Sequence, residues 1–160
     1  MEKLLNKEAV VRVKELINRF DSNLKILVLQ KSAKTAKDAS ELLKCEIGAI
    51  VKSLLFKVDD FFLICLIAGD KRCSLSKLKT ILKSKNIRMA SPEDVKKITG
   101  FSIGGVAPVG HIKKMKILID ISLARFSNVF AAAGHPNCIF KIEFKKLLQL
   151  TDAIKSEITE

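Results

Sequence analysis

The sequence has no Trp and no Tyr, and its nine Phe fall mostly at core-like positions. Proteins that grip single-stranded nucleic acid by stacking its bases need exposed rings, and few are available here. Arginine is scarce too, supplying only five of the 29 basic residues. Long apolar runs are missing. The most apolar stretch, "FFLICLIAG" at residues 61–69, is about half the roughly 20 residues of a spanning helix. The opening "MEKLLNKEAVVRVKEL" mixes acids and bases through its apolar positions and has no signal-peptide core. No membrane attachment is expected, and the cytoplasm is the expected location. The four cysteines (Cys45, Cys65, Cys73, Cys138) form no CxxC pair and no Cys/His ladder, so they read as reduced thiols packing as small hydrophobes. No metal and no cofactor is expected. A phosphate-binding P-loop and a Ser-His-Asp arrangement are also absent, so an enzyme built on this chain works by positioning and backbone donors.

What is present suits a single domain spanning residues 1–160, with 48% hydrophobic residues and one core. A monomer is expected. The net charge of +12 points to a polyanion partner, because lysines neutralise phosphates and release counterions. A lysine-favouring genome accounts for the same excess, since the basic residues are scattered rather than clustered.

Apolar positions at helical spacing predict an amphipathic helix over 3–20. A short strand follows at 24–30, then a helix over 32–45. "GAIVKSLLFKV" and "FFLICLIAG", separated by Asp59-Asp60, predict a hairpin, its second strand central and covered on both faces. A helix is predicted over 74–85. "SPEDVKKITG" (91–100) carries full helix punctuation, with Ser91 as N-cap, Pro92 in the first turn and Gly100 at the stop. "KMKILID", "NVFAAAG" and "CIFKIE" read as strands, with "ISLARF" a short helix or turn. "FKKLLQLTDAIKSEI" reads as a closing helix. The fold class is α+β, a mixed, largely antiparallel sheet surrounded by helices.

Three features carry possible chemistry. The first is Lys52, which shares a strand face with Ile50, Leu54, Phe56 and Val58. Burying an unpaired ammonium is costly. Lys52 therefore either snorkels at a sheet edge or stands in a cleft and meets an anion, a carbonyl or a carboxylate. The second is "GFSIGGVAPVGH" (100–111), where Gly104-Gly105 allow close approach to the main chain and successive N–H groups can form an oxyanion nest. The third is the small-residue loop "AAAGHPNC" (131–138). Both histidines, His111 and His135, fall in these two loops. Asp120, ending a strand, reads as a helix N-cap or as a site carboxylate.

Together these stretches, with "TAKDASELLKCEIGAIVKSLLFK" before them, resemble the YbaK/ProX family of aminoacyl-tRNA editing domains. That family includes free-standing trans-editing deacylases and the editing insertion of bacterial prolyl-tRNA synthetases. The resemblance implies hydrolysis of mischarged aminoacyl-tRNA, such as Ala- or Cys-tRNA(Pro), with the acceptor end of tRNA and prolyl-tRNA synthetase as partners. It implies that Lys52, Gly104 and Gly105 are catalytic. Ser53, Ser102, Pro108, Gly134, His135 and Asp120 are the expected substrate contacts. His135 is similar to a histidine of the branch that clears alanine, whereas Ala107 departs from the Ser or Pro of many members. A non-catalytic RNA-binding module and a lysine Schiff-base enzyme are the competing readings.

Overall fold

The alternating run around Lys52 forms the centre of the molecule. In the computed structural model, which describes residues 2–160, the helices are α1 (Glu2–Leu5), α2 (Glu8–Phe20), α3 (Ala36–Leu43), α4 (Leu75–Leu82), α5 (Pro92–Thr99) and α6 (Phe144–Thr151). The strands are β1 (Ile26–Val28), β2 (Val51–Val58), β3 (Phe61–Ala68), β4 (Ile87–Met89), β5 (Lys116–Asp120), β6 (Asn128–His135), β7 (Cys138–Glu143) and β8 (Ile154–Ser156). Short 3-10 turns occupy Ile47–Ala49 and Ile121–Arg125. The α+β class stands.

The strands form two sheets rather than one. A five-stranded sheet runs β4-β2-β3-β5-β8 and a three-stranded one runs β1-β7-β6. Pairing is antiparallel except between β3 and β5 and between β5 and β8. As its double-sided apolar pattern requires, β3 is central. Leu63 through Ala68 are all buried, with one apolar cluster on each face of the sheet. Helix α2 lays Val10, Val13 and Ile17 into the larger cluster; burying each such side chain contributes roughly 1.5–3 kcal/mol.

Two expectations are corrected and one strand is added. The predicted helix at 3–20 is two helices, because Lys7 takes an extended conformation (ψ 138°) as the N-cap of α2. The closing helix stops at Thr151. Asp152 is left-handed (φ 52°), a conformation Asp tolerates, and the chain then adds β8 in parallel to β5. Residues Ile87–Met89, which carry no alternation long enough to read, pair with Phe56–Val58 as β4. Helix α5 follows its punctuation: Ser91 accepts a hydrogen bond from the Asp94 amide (3.1 Å) and Gly100 is left-handed (φ 82°).

Candidate functional site

The two sheets meet at one point and then splay. Ile50 bridges Phe130 of β6 in parallel, while β4 pairs with β2 only from Phe56 onward. Between these two points β2 leaves an edge that no strand covers, and a cavity of about 540 Å³ opens there, within the usual range for small-ligand sites. Because an edge exposes both faces of a strand, residues of both faces of β2 reach this space, Lys52 and Ser53 among them. The wall is largely apolar, with Ala33, Ile50, Phe130, Ala132 and Ile139 lining it. No acidic residue is among the lining residues.

Lys52 is half-buried, and its Nζ donates to the Lys71 carbonyl at 2.6 Å. Burial pushes its ammonium below the ordinary lysine range, and the nearby Asp70 carboxylate opposes that shift. The turn that offers the carbonyl is braced beside it. Arg125 donates two hydrogen bonds to Asp70, at 2.7 and 3.0 Å, a bidentate geometry that fixes orientation. Gly69 starts the same turn and has no room for a side chain, since a Cβ there would stand 2.3 Å from the Ile47 carbonyl oxygen. Next to Lys52, the buried Ser53 Oγ has no hydrogen-bond partner among the described residues.

The glycine-rich loop reaches the cavity through its tip. Gly104 (φ 93°) lines the wall and occupies the third position of a turn closed by the Gly105 amide, which donates to the Ser102 carbonyl at 2.9 Å; positive φ is what a type II turn requires there. The Gly105 N–H is therefore spent within the turn, and Gly105 itself is buried against the backbone of His135.

The other expected contacts stand outside the lining residues. Ser102 is exposed and gives its carbonyl to the turn, whereas Pro108 is buried in the loop's interior. Gly134 (φ 94°) faces α2, where a Cβ would meet the Ala9 backbone at 2.9 Å. The His135 Nδ1 accepts from the Asn137 amide at 3.0 Å, and its neighbour Pro136 lines the cavity, as Ala132 of the same stretch does. Asp120 takes the helix-cap alternative. Its buried carboxylate accepts from the amides of Ser122 (3.0 Å) and Ile158 (2.8 Å) and from the hydroxyls of Ser122 and Thr159. Burial pushes that carboxyl up, and these hydrogen bonds together outweigh it, so the group lies below its ordinary value.

Residues that the sequence did not single out also line the cavity, among them Lys34 just before α3, Lys37 in its first turn, Met89 of β4 and Ile103 of the glycine-rich loop. Among the described residues no group of three or more His, Cys, Asp or Glu side chains is placed to hold a metal, and no helix is long and apolar enough to cross a membrane.

A half-buried lysine and a glycine turn thus share the wall of one largely apolar cavity beside the point where the two sheets meet. The chain belongs to the aminoacyl-tRNA editing domain family, which it matches over residues 30–150. It is 38% identical over 107 residues to a proline–tRNA ligase of Lactobacillus acidophilus, covering 67% of this chain and 19% of the ligase. The chain thus spans about a fifth of the length of that relative. It is 32% identical over 123 residues to YwhH, an uncharacterized protein of Bacillus subtilis, covering 76% of this chain and 78% of YwhH. A crystal structure presented as a candidate trans-editing enzyme for prolyl tRNA synthetase superposes with a TM-score of 0.90 at 35% identity, over 96% of this chain and 98% of that one.

Proposed function

We propose that this protein is a trans-editing deacylase that hydrolyses the ester of a small amino acid mischarged onto tRNA, with Ala- or Cys-tRNA(Pro) as its first candidates. The observation that carries this reading is the half-buried Lys52 ammonium standing on an apolar cavity wall beside the unpartnered Ser53 hydroxyl and the Gly104 turn. Likeness over nearly the whole of a candidate trans-editing structure supports action on tRNA charged by a separate synthetase.

An aminoacyl ester is already activated, so the chain needs only to place a water and stabilise the oxyanion. Water adds to the carbonyl carbon, and the developing negative charge falls to the Lys52 ammonium and the Gly104 amide. The ester C–O bond then breaks, releasing the free amino acid and restoring the ribose hydroxyl, which takes up the proton. The ribose hydroxyl next to the ester can assist the attacking water. Ser53 holds the amino acid or the water. Lys52 keeps its proton in this scheme, consistent with its donation to a carbonyl, and this sets it apart from a Schiff-base lysine. Selection is steric. Synthetase pockets separate amino acids differing by one methylene by only about 1–3 kcal/mol, and a second, smaller pocket that hydrolyses whatever fits raises the total discrimination.

The test is deacylation of Ala-tRNA(Pro), Cys-tRNA(Pro) and Ser-tRNA(Ala), with Pro-tRNA(Pro) as the control. Hydrolysis of a mischarged species with the control spared is the expected result. Binding of tRNA without turnover of any species would replace this reading with that of a non-catalytic RNA-binding module.

A further inference from the structure

Two of the four cysteines stand together. Cys65 lies in the middle of β3, fully buried in the apolar cluster on the far side of the five-stranded sheet from α2. Cys73, half-buried just ahead of α4, packs against the same cluster. Cys45 and Cys138 belong to other clusters. The thiols of Cys65 and Cys73 hydrogen-bond to each other. That bond pulls the Cys73 thiol below its ordinary value, with help from the Lys52 ammonium, against burial and the carboxylates of Asp120 and Glu160. The same bond and burial push Cys65 up. The pair is therefore asymmetric. Cys73 reaches solvent and ionises first, the character of a thiol that meets an oxidant, and Cys65 waits behind it as a resolving thiol.

This pair adjoins the turn that holds Lys52. Ala68 ends β3, and residues 69–72 turn the chain back to Cys73, which bridges to Thr159. Two residues before Cys73, the Lys71 carbonyl accepts from the Lys52 Nζ at 2.6 Å. Cys65 is held in place, because its strand pairs on both edges, with Leu54 of β2 and Leu118 of β5 opposite it. Hydrogen-bonded sulfurs stand farther apart than the roughly 2.05 Å of a disulfide, so a bond between them draws the Cys73 segment inward. The other end of the turn is held by Arg125 through Asp70, and the Lys71 carbonyl lies between the two. We propose that hydrogen peroxide converts Cys65 and Cys73 to a reversible disulfide that displaces the Lys71 carbonyl and, with it, Lys52. The Cys73 thiolate attacks the peroxide O–O bond, giving a sulfenic acid and a hydroxide that takes up the proton the thiol gave. Cys65 sulfur then displaces the sulfenic hydroxyl, which leaves with the Cys65 proton as water. Two thiols are oxidised to one disulfide, the peroxide is reduced to two waters, and a dithiol reverses the change. The effect on hydrolysis rests on the deacylase reading, whereas the bond itself does not.

The test treats the full chain with hydrogen peroxide, quenches it, and maps disulfides by peptide mass spectrometry without reduction. A Cys65–Cys73 crosslink is expected, with Cys45 and Cys138 still free to alkylate, and its absence overturns the proposal. Lys52 is then read directly, by the rate at which an acylating reagent labels its amine in each form. Losing the Lys71 carbonyl removes a hydrogen bond to a charged group, so oxidation should raise that rate about tenfold, and dithiothreitol should restore it. Cys73→Ala and Cys65→Ala should label at the reduced rate with or without peroxide. A crosslink that leaves Lys52 labelling unchanged overturns the coupling. In the deacylation assay the oxidised form should lose about tenfold or more in kcat/KM, the scale of misplacing a positioned group by about an ångström. Equal rates in the two forms overturn the effect on hydrolysis. If neither form deacylates while labelling responds to peroxide, the deacylase reading falls and the redox pair stands.

Discussion

Gly105 and His135 touch backbone to backbone: a Cβ on Gly105 would stand 2.9 Å from both the Cα and the N of His135. This contact locks the glycine-rich loop to the end of β6, and it explains why two loops 30 residues apart in sequence border one cavity through Gly104 and Pro136. Gly105→Ala forces these backbones apart and should cost roughly 1–3 kcal/mol, as overpacking does. Gly104→Ala meets only the Pro136 ring at 3.5 Å, so its cost is the left-handed strain alone, about 1 kcal/mol. Urea unfolding of the two variants checks the order. A Gly104 variant less stable than the Gly105 variant would show that the loops separate without penalty.

Lys52 should matter for rate and hardly for stability. Its Nζ reaches the Lys71 carbonyl, and Lys52→Ala gives up that bond while relieving the cost of a half-buried charge. The variant should lose about 100-fold or more in kcat/KM, the scale of removing one oxyanion donor, with a melting temperature close to that of the wild type. Lys52→Arg should not restore the rate, because a planar guanidinium replaces a point charge. Full activity in the alanine variant would remove Lys52 from the mechanism.

Lys52 was legible in the sequence because a charge interrupts an apolar strand face, a conflict visible from alternation alone. The β2–β3 hairpin and α5 were legible for similarly local reasons, the one from its period of two and the other from Ser91, Pro92 and Gly100. The C-terminus was not. Apolar spacing continues through residues 144–158, yet Asp120, 38 positions before Ile158, accepts the Ile158 amide and holds the chain away from a helix. Nor was the mouth of the cavity legible. Lys34 and Lys37 look like any solvent-facing lysines, Met89 sits in a three-residue strand, and the cavity arises from the divergence of two sheets, for which no local pattern exists.

Asp120 should therefore be a stability residue. Asp120→Ala leaves the buried Ile158 amide and the Thr159 hydroxyl without their acceptor, costing at least about 2 kcal/mol. Because the folded carboxyl lies below its ordinary value, its contribution is present above the unfolded pKa and is lost as pH falls through the folded one. The wild type should lose stability steeply in acid, and the variant less so. Asp120→Asn is the discriminating substitution for function. Its deacylation rate per folded molecule should match the wild type, and an inactive but stable Asp120→Asn protein would return this carboxylate to the site.

The histidines give the chain a second, milder pH dependence. Burial pushes His111 below its ordinary value of 6.5, and the positive charge of Arg12 adds to the shift against the hydrogen bond to the Ala107 carbonyl. The ring is held at 2.8 Å from that carbonyl and edge-on to Phe101, over which Arg12 also lies. His135 is lowered as well, again chiefly by burial. A histidine with a depressed folded pKa binds its proton more readily in the unfolded chain. Its stabilisation is therefore full above the unfolded pKa and is lost as pH falls through the folded value. The unfolding free energy should fall as pH drops below about 6.5, by at most about 1.4 kcal/mol per pH unit for each histidine. His111→Gln, which keeps an N–H donor for Ala107, should flatten most of that slope, and His135→Gln should flatten less of it. Urea unfolding at a series of pH values measures this directly. A slope unchanged in the His111 variant would place the acid sensitivity on the carboxylates, Asp120 first among them.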